Sequence, residues 1–87
     1  MPYSIDFTRR ALRELAALPK HIQQQISSKI DELAANPLPR GVQQLHGEDK
    51  LYRIRIGDYR VIYEIDHNVR VVTIATIGHR RDVYRGR

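Results

Sequence analysis

The sequence predicts an α+β domain with element order β-α-α-β-β-β. Three observations lead there. Apolar residues recur at helical spacing between about residues 8 and 36, they recur at every second position from Leu51 onward, and a polar, turn-rich stretch separates the two patterns. In 87 residues these elements make one domain, 1–87, because folded units usually run from about 50 to 250 residues.

Tyr3, Ile5 and Phe7 alternate with Ser4 and Asp6, the pattern of a short half-buried strand. Thr8 can then cap a helix by accepting a bond from a free N–H of the first turn. Ala11, Leu12, Leu15 and Leu18 form its apolar face, with Arg9, Arg13 and Glu14 outside. Pro19 ends this helix or opens the next. Ile22, Ile26, Ile30 and Leu33 follow at spacings of four, four and three, so a second amphipathic helix runs to about Asn36, where Pro37 and Pro39 stop it. The two make a helical hairpin with one apolar side.

From Pro37 to Lys50 there is no sustained period, which reads as a connecting loop. Beyond it Tyr52, Ile54 and Ile56 point one way and Leu51, Arg53 and Arg55 the other. Gly57-Asp58 signals a two-residue hairpin, with Tyr59 to Ile65 as the return strand. After the turn Asp66-His67-Asn68, Val69 to Ile77 is apolar on both faces, as expected of a central strand covered by the helices. The predicted sheet is small, twisted and largely antiparallel.

Composition excludes several classes of function. With 41% hydrophobic and 29% charged residues the chain is neither a disordered tail nor a membrane span, and its longest apolar-dominated run has seven residues, Val71 to Ile77. It has no cysteine, hence no disulfide and no thiolate chemistry. No leader-like segment precedes the first strand, so a cytoplasmic location is expected. His21, His46, His67 and His79 are scattered without the spacing of metal ligands, and neither a metal nor another cofactor is expected.

The net charge of +5 is unevenly placed. Residues 1–49 carry six basic and six acidic side chains, whereas residues 50–87 carry nine basic and four acidic ones. Lys50 and eight arginines thus hold the whole excess. Arginine's planar fork suits phosphate, which points to an anionic partner, most naturally nucleic acid; a merely solubilising basic surface has the same charge. Arg53 and Arg55, two apart on one strand, share a face about 6.8 Å from each other. A two-residue turn pairs Ile56 with Tyr59 and sets Arg55 opposite Arg60. Like charges so opposed are destabilising, which implies an anion between them or acidic neighbours; Glu64 on the same face could pair with one of them. The tail Gly78-His79-Arg80-Arg81-Asp82-Val83-Tyr84 adds an imidazole, two guanidiniums and a phenol, enough for acid–base work on a phosphodiester. A basic end docked on the sheet would have the same composition.

The run Leu51-Tyr52-Arg53-Ile54-Arg55-Ile56-Gly57-Asp58-Tyr59-Arg60-Val61-Ile62-Tyr63, followed by Gly78-His79-Arg80-Arg81-Asp82-Val83-Tyr84, resembles the RelE branch of the RelE/ParE toxin superfamily. The likeness extends from the Tyr3–Phe7 strand to the last residue. It implies a RelE-like fold with two helices on one face of a twisted sheet. It also implies a metal-free endoribonuclease that cuts mRNA, typically on the ribosome, through attack by the 2′ hydroxyl, and that is silenced by a cognate antitoxin in a hetero-oligomeric complex. By position, Arg53 and Arg55 would contact RNA, Arg60 would stabilise charge on the scissile phosphate, Arg80 would be the general acid and Tyr84 would stack on or orient the nucleotide. Lys50 and Arg81 extend the expected RNA-binding set. Because arginine stays protonated, Arg53 and Arg55 are poor bases. His79 is then the side chain in the cluster suited to take a proton near neutrality, unless it only pairs with the backbone. Two relatives of the same scaffold remain as alternatives: a ParE-like inhibitor of DNA gyrase without nuclease activity, and an inactive chain that binds only its antitoxin.

Overall fold

A computed structural model describes residues 2–45, 47 and 50–79. Strand β1 (Ser4–Phe7) leads into helix α1 (Arg9–Ala16), and helix α2 (Lys20–Ala35) follows. Thr8 is the expected cap: its backbone is extended, and its Oγ1 accepts from the Ala11 N–H at 3.1 Å. Ala11 is fully buried, with Leu15 and Leu18 packed beside it. Leu12 departs from the expected face and is 52% exposed. The contact stripe runs i, i+4, i+7 from Ala11, and a residue one position on is rotated about 100° out of it. Pro19 opens α2. Across this junction Gln23 Nε2 donates to the carbonyls of Ala16 (3.2 Å) and Leu18 (2.9 Å), satisfying acceptors that the end of α1 leaves free. Ile26, Ile30 and Leu33 are the buried stripe of α2.

Among the described residues five strands form the sheet, where sequence patterning predicts four. The extra one, β2 (Gln43–Gln44), lies inside the expected Pro37–Lys50 loop and pairs antiparallel with β3 (Leu51–Ile56), Gln43 facing Arg53 and Gln44 facing Tyr52. Two exposed glutamines carry no hydrophobic alternation; pairing with β3 makes them a strand. After β4 (Tyr59–Asp66) and β5 (Val71–His79) the order across the sheet is β1-β5-β4-β3-β2. Only β1 with β5 is parallel. The middle strand is β4, and β5 starts two residues later than its apolar run. Asp66 Oδ1 accepts from the N–H groups of Asn68 (2.9 Å) and Val69 (3.3 Å), and Arg70 turns the chain at φ 58°, so Val69 stays in the turn, 66% exposed.

Both helices cover one face. Against them lie Ile54 and Ile56 of β3, Val61, Tyr63 and Ile65 of β4, and Val72, Ile74 and Ile77 of β5. Each such aliphatic side chain contributes roughly 1.5–3 kcal/mol by burial. Among the described residues no helix is long and apolar enough to cross a membrane.

The register of β5 changes once. Tyr63 is opposite Ile74 but Ile62 is opposite Thr76, so Ala75 is an extra residue, a β-bulge. Helix α1 takes up the polar groups there. The Thr8 hydroxyl donates to the Ala75 carbonyl (2.7 Å), while Glu14 Oε1 accepts from the Ile77 N–H and from the Thr76 hydroxyl (both 2.8 Å). Past the bulge, Ile77 packs in the core beneath the helices.

Tyr63, fully buried in the middle strand, donates its hydroxyl to the Pro37 carbonyl at 2.8 Å and stacks on Tyr52. It ties the exit of α2 to the sheet. Burial, with the neighbouring Tyr52 phenol adding to it, pushes the Tyr63 pKa well above its ordinary value of about 10. The folded chain keeps this proton where the unfolded chain loses it, so the contribution is complete below about pH 10 and falls as pH rises beyond that. Tyr63→Phe is expected to cost about 1 kcal/mol at neutral pH in urea unfolding. That difference should shrink above about pH 10 by up to about 1.4 kcal/mol per pH unit; a constant difference from neutrality to pH ~11 would contradict it.

Candidate functional site

The face of the sheet turned away from the two helices carries the arginines. Gly57, at φ 60°, and Asp58 make the two-residue turn between β3 and β4. Tight closure brings Ile56 opposite Tyr59 and Arg55 opposite Arg60, the expected rung. Gly78 is the next residue along that rung, across from Arg60 on β5, and it contributes no side chain to crowd the guanidinium. Two positions back along β3 is Arg53, whose Nη2 donates to Gln43 Oε1 on β2. Together Arg53, Arg55 and Arg60 line a cleft of about 330 Å³, with Gly41, shortly before β2, and Gln43 of β2 completing its wall.

Burial grades the three cations. Arg55 is exposed and Arg53 half-buried, whereas Arg60 in the middle strand is only 8% exposed. Among the described residues Arg60 is the buried charged side chain of the sheet. A guanidinium held there meets an anion with little water between them, which strengthens their attraction relative to the surface. The cleft therefore combines a fixed inner cation with two outer ones and suits a phosphate or a short polyanion.

Other expected site residues fall elsewhere. Lys50 is exposed before β3, five residues and about 17 Å along the strand direction from Arg55, and does not line the cleft. Glu64 lies opposite Leu51, four positions along β4 from Arg60. His79 is opposite Tyr59, and the two rings meet edge to face at 5.6 Å. Tyr59 packs on the helix-side core, so His79 occupies the face opposite the arginines. The bulge at Ala75 accounts for this difference, because it shifts the alternation of β5 by one residue. Arg80, Arg81 and Tyr84 lie outside the described residues. Sequence reasoning missed Gly41 and Gln43, which carry no motif and reach the cleft only through the β2 pairing. Among the described residues no three His, Asp or Glu side chains are grouped to hold a metal ion.

A family model described as the ParE toxin of type II toxin-antitoxin systems, parDE, matches residues 5–84. Toxin RelG of Mycobacterium tuberculosis is 34% identical over 98% of this chain and 99% of its own length. The mRNA interferase toxin RelE of Escherichia coli K12 is 29% identical over 92% of this chain and 85% of its length. The toxin-antitoxin complex RelBE2 of M. tuberculosis contains a chain of the same fold, with a TM-score of 0.82 and 33% identity over 92% of this chain and all of that one.

Arg55 and Arg60 are like charges directly opposed across one rung, an arrangement that costs stability. Arg55→Gln is expected to raise stability by about 0.5 kcal/mol in low salt, and the gain should vanish near 1 M salt, where the screening length is about 3 Å. Urea melts of both proteins at two salt concentrations would read this, and a loss of stability in low salt would count against repulsion across the rung.

Proposed function

The chain belongs to the RelE/ParE superfamily of type II toxin-antitoxin toxins, and on that premise we propose that it is an endoribonuclease that cuts mRNA, with the substrate phosphate seated between Arg55 and Arg60. The observation that carries this reading is the cleft itself, where two directly opposed guanidiniums and a third beside them line one pocket. A relative named as an mRNA interferase supports the choice of substrate.

In the proposed reaction the 2′ hydroxyl of RNA attacks the adjacent phosphorus in line. The bond from phosphorus to the 5′ oxygen breaks, leaving a 2′,3′-cyclic phosphate and a 5′ hydroxyl. Arg60, fixed and largely dry, stabilises the negative charge that develops on the phosphorane oxygens. Arg53 and Arg55 hold the flanking backbone. Arg80 as proton donor to the leaving oxygen and Tyr84 as a stacking platform enter through the resemblance of the tail, with Arg81 as a further RNA contact. His79, which the sheet places on the other face, is assigned to packing on Tyr59 rather than to proton abstraction. No arginine of the cleft can accept the 2′ proton, so in this scheme it passes to water and the cleft acts by electrostatics.

A cognate antitoxin protein is the proposed partner, in a hetero-oligomer like that of the RelBE2 complex. Messages on translating ribosomes in the cytoplasm are the proposed setting. Primer extension on mRNA from cells expressing the wild type, Arg60→Ala and Arg80→Ala tests the assignment. Wild type should produce discrete cuts, and each substitution should reduce them about 100-fold or more. Cuts undiminished by Arg60→Ala would sink the proposed role of the cleft. Gyrase-dependent DNA damage without RNA cleavage would instead support the ParE-like alternative.

A further inference from the structure

We propose that Glu14 is a positioning residue for this reaction: its carboxylate on α1 clamps the bulged end of β5 and thereby sets the rung on which Arg60 works. The inference rests on the nuclease reading. Both carboxylate oxygens are engaged. Oε1 accepts from the Ile77 N–H and the Thr76 hydroxyl at 2.8 Å each, and Oε2 accepts from Arg10 Nε at 3.2 Å, which fixes the carboxylate's rotation.

The clamp sits one rung from the cleft. Ile77 is opposite Val61, and the adjoining rung is Gly78 opposite Arg60. A bulge leaves a strand free to slip or twist, since the extra residue has no cross-strand partner. Here that freedom is removed from the helix side by Thr8 at Ala75 and by Glu14 at Thr76 and Ile77. Gly78 is thereby kept beside Arg60 and His79 is kept against Tyr59. Arg80, the proposed proton donor, comes two residues after Gly78 in the sequence.

The hold of Arg53 and Arg55 on the flanking RNA backbone does not pass through this clamp. Arg53 and Arg55 stand on β3, which pairs with β2 and β4 and not with β5. Loosening the end of β5 should therefore slow the chemical step while leaving affinity nearly intact, because a displacement on the order of 1 Å in a reacting constellation can cost as much as about 100-fold.

The test is single-turnover cleavage of mRNA on programmed ribosomes by wild type, Glu14→Ala and Glu14→Gln, each first shown by thermal melting to be folded at the assay temperature. Glu14→Ala should lower the rate at saturation about tenfold or more, with half-saturation changed less than about twofold. Glu14→Gln keeps a carbonyl oxygen for Ile77 and Thr76 and should stay within about threefold of wild type. A merely structural role predicts instead a loss in proportion to the unfolded fraction. That result, a wild-type rate for Glu14→Ala, or a change confined to half-saturation would overturn the inference while leaving the nuclease reading in place. Wild type that leaves mRNA intact would overturn the nuclease reading and this inference with it.

Discussion

The constraint on which this structure depends is that one layer of helix covers one face of one sheet. Once α1 and α2 claim a face, every strand must send alternate residues toward the helices and away from them. On β4 the division puts Val61, Tyr63 and Ile65 in the core and Arg60 on the other side. On β3 it sets Ile54 and Ile56 against Arg53 and Arg55. The cation cluster is thus the reverse side of the hydrophobic core. Packing that holds Val61 rigid also holds Arg60 rigid, so the site inherits the stiffness of the core without a separate scaffold.

Much of this was legible because β3 and β4 obey period two over a tight Gly57-Asp58 turn. Register, the facing of Arg53, Arg55 and Arg60, and the helix boundaries all derive from local chemistry. What was not legible arises where tertiary context overrides pattern. Gln43 and Gln44 become a strand through a backbone ladder that leaves no trace in side-chain type. Val69 is apolar yet stays in the turn because Asp66 caps its N–H. His79 changes face because Ala75 is an uncounted residue, and the groups that secure it, Thr8 and Glu14, stand more than sixty positions earlier in the chain. Of those two, Thr8 was recognisable as a helix cap, but nothing in sequence shows that its hydroxyl has a second partner.

The position of His79 also sharpens the chemistry. With the imidazole on the helix side, the charged groups in the described part of the cleft are all donors. Such groups cannot take up a proton; they can only make negative charge easier to hold. That is the behaviour of a preorganised electrostatic site, whose strength comes from fixed charges with little solvent between them.

Strand β1 has a single neighbour in the sheet, β5, and the two are more than sixty residues apart in the chain. During synthesis β1 must therefore wait for β5 before its backbone hydrogen bonds can close. Contacts of such high sequence separation make folding slow and late, since loop closure precedes any gain from pairing. A growing chain cannot complete the native sheet piece by piece, and the buried guanidinium cannot be enclosed while β5 is missing. The topology thus delays assembly of the arginine rung until β5 has been made.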